Sequence, residues 1–138
     1  MEGVERLQLS FPADKGYLSL VGGVAREMCA RVPGLSPSAG YNVELAVDEA
    51  VVNVISHAYE DDPSGRVELT FEIHPDRLVI QVRDWGLSFD PSVIPEPDLD
   101  SPQERGYGVY LMRRLMDQVS YQADGTEGNC VTMVKLAG

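Results

Sequence analysis

Glu44-Leu45-Ala46-Val47-Asp48-Glu49-Ala50-Val51-Val52-Asn53-Val54-Ile55-Ser56-His57-Ala58-Tyr59 is a mostly apolar run interrupted at helical spacing by Glu49, Asn53 and His57. A helix completes a turn about every 3.6 residues, so side chains four apart share a face. That face carries a carboxylate, an amide and an imidazole, flanked by Ala50, Val51, Val54 and Ile55. Burying unpaired polar groups costs about 2–7 kcal/mol, so the stripe needs a partner. A carboxylate beside an amide oxygen suits Mg²⁺ and phosphate chemistry, whereas a solvated helix edge is the plainer alternative. Either way the run predicts the central helix of the fold.

Outward from it, Pro33-Gly34 breaks the chain, and Ser36 or Ser38 can cap the helix, which is expected to reach about Tyr59. Upstream, Val4 to Phe11 alternates around Leu7 and Leu9 as a strand closed by Pro12. Asp14 can then cap a helix to about Val32 whose inward stripe is Leu18, Val21, Ala25, Met28 and Cys29. Gly22-Gly23 within it each cost about 1 kcal/mol relative to alanine, which calls for a close packing contact or a bend. Downstream, a turn at Asp61-Asp62-Pro63-Ser64-Gly65 leads into Arg66 to His74 and Arg77 to Arg83, two alternating runs that read as an antiparallel hairpin.

From Trp85 to Arg105 the periodicity is lost, and Pro91, Pro95, Pro97 and Pro102 gather with acidic residues. So long a loop in a compact domain is characteristic of a lid, placed here at about 86–105. A helix is expected from near Gly108, then strands near Val119 to Ala123 and Cys130 to Leu136. The order β-α-α-β-β-lid-α-β-β predicts one α+β domain over 1–138, a two-layer sandwich with helices packed on one face of a mostly antiparallel sheet. A parallel nucleotide-binding sheet would need alternating βαβ units.

The 138 residues suffice for one ordinary core. Eleven basic against 22 acidic residues give a net charge of −11, which argues against a nucleic acid or an anionic membrane as partner. A small anion can still bind where backbone N–H groups, a helix N-terminus or a cation supply local positive potential. Cys29 and Cys130 match no CxxC spacing and are expected to be reduced and buried. The start, Met1-Glu2-Gly3-Val4-Glu5-Arg6, has no apolar signal region, and no stretch approaches a membrane span, so a cytoplasmic protein is expected.

Two further groups of residues bear on chemistry. Asp84-Trp85-Gly86 puts a carboxylate at a strand end opening onto the lid, where it can accept a hydrogen bond from an adenine amino group while Gly86 lets backbone approach the base. Ordinary turn chemistry is the alternative. Gly106-Tyr107-Gly108 ahead of a helix can expose N–H groups to phosphates, or simply end the lid. No GxxxxGK[ST] sequence is present, GxGxxG is not completed after Gly108, and neither His57 nor His74 lies near a GxSxG elbow. An ion held by protein ligands alone is not expected, so Mg²⁺ would arrive with a nucleotide.

Taken together and in this order, these elements resemble the GHKL, histidine-kinase-like ATPases of the Bergerat fold, and most closely their anti-sigma-factor serine/threonine-kinase branch. The Glu-x-x-x-Asn box is met by Glu49 and Asn53, followed by a His-x-Tyr at His57 and Tyr59. The Asp-x-Gly box is met by Asp84 and Gly86, and the second glycine box by Gly106-Tyr107-Gly108-Val109-Tyr110-Leu111-Met112. The resemblance runs from the first strand to Lys135. Where the last box usually reads Gly-Thr, this chain has Gly128-Asn129 ahead of Cys130-Val131-Thr132.

The resemblance implies ATP and Mg²⁺ as cofactors and a role for each box. Glu49 would be the general base and Asn53 the Mg²⁺ ligand. Asp84 would recognise adenine with Gly86 beside it, while Gly106 and Gly108 would leave room for phosphates. His57, Tyr107, Val109 and Thr132 would complete the nucleotide contacts, and Arg105 is a candidate to neutralise phosphate charge, or else a surface arginine. It implies a regulator that binds a sigma factor, phosphorylates a serine of a STAS-type anti-anti-sigma antagonist, and dimerises. A sensor histidine kinase would need a phosphoacceptor helix hairpin ahead of the domain, and only a few residues precede the first strand. The rival readings are a nucleotide-regulated binding module without phosphotransfer and an interaction domain that binds no nucleotide.

Overall fold

Alternation of period two sets up the sheet, and the helices cover the one face that alternation makes apolar. The computed structural model describes residues 4–88 and 107–138, the side chains of 107–109 excepted. Strands β1 (Glu5–Pro12), β2 (Arg66–Ile73), β3 (Arg77–Asp84), β4 (Gln118–Ala123) and β5 (Asn129–Leu136) form one sheet in the order β1-β2-β3-β5-β4. All four pairings are antiparallel. The expected α+β sandwich and element order therefore hold among the described residues. Val67, Leu69, Phe71, Leu78, Ile80, Val82 and Met133 are buried against the helices, while Gln81 and Thr132 face each other across the register on the opposite side.

Helix α1 (Leu18–Ala30) begins later than expected. Asp14 accepts from Gly16 N at 2.8 Å and caps a short 3₁₀ turn at Lys15–Tyr17 instead. Helix α2 (Pro37–Asn53) is capped by Ser36, whose Oγ accepts from Ala39 N, with Pro37 pre-set for the first turn. The two glycines of α1 have separate explanations. A Cβ on Gly22 would lie 3.1 Å from Glu44 Oε2, so the packing alternative holds there, whereas Gly23 faces open space.

The central helix does not stay α-helical to Tyr59. It passes at Val54–Ala58 into a π turn, closed by Tyr59 N donating to Val54 O. Tyr59 then ties three elements: its hydroxyl donates to Arg66 O at 2.6 Å and accepts from Trp85 N at 2.8 Å. Ala58 O accepts from Leu87 N at 2.8 Å, fastening the end of the central helix to the exit of β3. Helix α3 (Tyr107–Leu115) starts one residue before the expected Gly108 and buries Met112. Lys135 donates to Leu115 O at its C-terminal end, where a cation complements the helix dipole.

Candidate functional site

The knot between the π turn and β3 creates a cleft of about 350 Å³, reckoned out to its open mouth. Ala50, Asn53, Val54 and Ala58 line one side, Asp84, Leu87 and Val131 another, and Met112 and Tyr121 close it. Mostly apolar walls with a few convergent polar groups are the usual make-up of a small-molecule site.

Asp84 is the buried polar group of this cleft, 4% exposed at the last residue of β3. Burial pushes its carboxyl above the ordinary aspartate value, against hydrogen bonds from Asn129 and Gly86 that favour the anion. Both bonds fall on Oδ1: Asn129 Nδ2 donates at 3.0 Å and Gly86 N at 2.9 Å. Gly86 is required more by the protein than by any ligand. A Cβ there would lie 2.3 Å from Ala58 O, a backbone atom that cannot step aside, so the close approach expected of Gly86 is to the end of the central helix.

The central-helix side is built differently. Asn53 Nδ2 is buried and finds no hydrogen-bond partner among the described residues. Glu49, one turn earlier, is half-buried and stands outside the described lining of the cleft. Burial first, and the charge of Asp48 second, raise its carboxyl above the ordinary glutamate range. An orphaned amide N–H donor in a cleft wall would be satisfied by an anionic oxygen such as a phosphate's, while the oxygen of the same amide is the atom that could face a cation.

A family model described as histidine kinase-like ATPase domain matches residues 11–135. The chain belongs to that family. Among curated relatives it is 32% identical to the serine-protein kinase RsbW of Bacillus mycoides, over 98% of this chain and 87% of that one. It is 35% identical to the same-named protein of Bacillus licheniformis, over 94% of this chain and 84% of that one. A crystal structure of the RsbU and RsbW domains of Rv1364c from Mycobacterium tuberculosis shares the fold, with a TM-score of 0.65 at 17% identity. That alignment covers 96% of this chain and 32% of the other, so this chain spans about a third of its length.

Use of ATP comes with membership of the histidine kinase-like ATPases. Within this ATPase domain, the described residues bring Asn53 and Asp84 to one cleft with Gly86 at its edge, and leave Glu49 and His57 a turn to either side of Asn53. Tyr107, Gly108 and Val109 fall in the first turn of α3, while Arg105, Gly106 and nearly all of the expected lid lie outside the described residues. Thr132 is not brought to the site. Val131 lines the cleft and Met133 is buried beside it, so alternation along β5 puts Thr132 on the far face, with Gln81 and Ser120 as register neighbours. The polar residue that β5 brings beside the cleft is Asn129, which is buried, lies opposite Asp84 in the register and bonds to it. Its signal in the sequence was the Gly128-Asn129 departure itself.

The described residues form no cluster that would hold a metal by protein ligands, and no helix among them is long and apolar enough to cross a membrane. Cys29 and Cys130 are buried and free.

Proposed function

We propose that this chain is an ATP- and Mg²⁺-dependent protein serine kinase that also binds a sigma factor and phosphorylates a STAS-type antagonist of that binding. The observation that carries the chemical part is the α2 pair: a half-buried Glu49 carboxylate one turn before Asn53, whose Nδ2 has no partner among the described residues and which lines a cleft with Asp84 on its opposite wall. Near-full-length likeness to proteins named serine-protein kinase supports the substrate class.

In this reading Asp84 accepts from the adenine amino group in a low-dielectric wall, where guanine would present an acceptor instead. Asn53 would hold Mg²⁺ through its amide oxygen, and the ion, when bound with the nucleotide, would supply charge neutralisation for the transferring phosphoryl group. Glu49, whose carboxyl burial and the charge of Asp48 raise above its ordinary value, takes the proton from the attacking serine hydroxyl. Its raised pKa makes the carboxylate a stronger base.

The test is phosphoserine formation on the cognate STAS protein with Mg-ATP. Wild type is expected to phosphorylate one serine, and Glu49→Ala to leave only background. Equal rates from both would remove the kinase assignment and leave nucleotide-regulated binding.

A further inference from the structure

Asn129, beside the cleft, bonds to four residues around the exit of β3, and these neighbours show what it serves. It is 5% exposed and sits directly across from Asp84 in the β3–β5 register. Nδ2 donates to Asp84 Oδ1 at 3.0 Å and to Gly86 O at 3.1 Å, with Leu87 O at 3.4 Å, and Oδ1 accepts from Ser88 Oγ at 3.1 Å. Gly128 makes this reach available: at φ +83° its missing Cβ leaves room for Asp84 O, 2.3 Å from where that atom would be.

We propose that Asn129 is a positioning residue that locks the base-recognising carboxylate of Asp84 and the first residues after β3 into one rigid unit. The proposal rests on the ATP reading of the cleft. A primary amide has two N–H donors and an oxygen acceptor, so a single side chain can serve a carboxylate, a carbonyl and a hydroxyl together. A threonine hydroxyl has one donor and could hold the carboxylate but not the carbonyl as well. An aspartate would bring only acceptors against acceptors. The amide orientation is also forced, since three acceptors lie on its nitrogen side and a hydroxyl on its oxygen side. With Oδ1 of Asp84 taken by Asn129 and Gly86 N, Oδ2 is the atom left for an adenine amino group. The side-chain bonds of Asn129 go to Asp84, Gly86, Leu87 and Ser88, so it acts on nucleotide affinity and not on the transfer step.

The experiment measures KM for ATP, kcat for phosphotransfer, calorimetric ATP affinity and nucleotide-free melting for Asn129→Ala, Asn129→Thr and Ser88→Ala. Loss of a hydrogen bond to a buried charge predicts ATP binding about 10- to 100-fold weaker in Asn129→Ala, with kcat at saturating ATP within about threefold of wild type. Asn129→Thr is expected to regain most of that affinity, because one donor to Asp84 returns. Ser88→Ala, which only loosens the amide, should weaken ATP by a few-fold and decides the matter if Asn129→Ala does not fold. Unchanged affinity in Asn129→Ala, or in Ser88→Ala where that variant decides, overturns the proposal while leaving ATP binding intact. Equal losses in the alanine and threonine variants that track their melting would make Asn129 merely structural, and overturn it too. Absence of ATP binding by the wild type would remove the ATP reading and this proposal together.

Discussion

The two walls of the cleft are built on opposite principles. On the strand side, Asp84, Gly86, Leu87, Ser88 and Asn129 form a closed hydrogen-bond network, and the Gly86 backbone is pressed against Ala58. On the helix side, Asn53 Nδ2 has no described partner and Glu49 is desolvated beside Asp48. A satisfied network holds its shape without ligand, whereas an unsatisfied one gains most when ligand arrives. The strand wall is thus suited to reading a rigid base, and the helix wall to meeting charge that appears only with Mg²⁺ and a phosphate.

The contrast is broken most severely at Glu49. Glu49→Gln is expected to cut phosphotransfer by about 10²- to 10⁴-fold, the usual worth of a general base, with ATP affinity nearly kept. A group whose folded pKa is raised contributes stability that is lost as pH rises through that pKa. The neutral isostere should therefore melt slightly above wild type at neutral pH without nucleotide. Kinetics and a thermal melt read both effects, and a variant that is inactive because it melts lower would contradict the assignment.

Next in size is the strand wall. Gly86→Ala forces a Cβ to within 2.3 Å of Ala58 O. Overpacking of this kind costs about 1–3 kcal/mol, so the melting temperature should fall by several degrees and ATP affinity with it. An unchanged melt would mean that the knot between β3 and the π turn is looser than described.

A subtler change sharpens the helix wall. Because Asp48 is the second cause of the raised Glu49 carboxyl, Asp48→Asn should shift the acid limb of the phosphotransfer pH profile downward. The base works deprotonated, so the rate rises with pH through that limb in both proteins. A limb that stays in place or moves up would remove the electrostatic account. The smallest effect is expected at Thr132→Val, on the far face of β5, where stability and ATP affinity should stay within about 0.5 kcal/mol of wild type.

Strand and helix periodicities made most of the fold legible. The hairpin from Arg66, the Ser36 cap and the inward stripe of α1 all follow from local pattern. The π turn at Val54–Ala58 was not legible, because one extra residue in a turn leaves the apolar pattern nearly intact. Nor was the placement of β5 between β3 and β4, which depends on a crossover and not on any one segment. Asn53 and Asp84 were readable from spacing and order. Thr132 carries the hydroxyl that a Gly-Thr box would supply, but counting alternation back from Met133 assigns Asn129 and Val131 to the cleft side and Thr132 to the other.

The division between walls is tested most directly by calorimetric ATP titration of wild type, Asp84→Asn and Asn53→Ala, each with and without Mg²⁺. Asp84→Asn is expected to bind ATP at least tenfold more weakly in both conditions, and Asn53→Ala to match wild type without Mg²⁺ but lose the increment that Mg²⁺ adds. If Asn53→Ala lost affinity equally in both conditions, or if only Mg²⁺-bound ATP distinguished Asp84→Asn, the two walls would not have the separate tasks assigned to them.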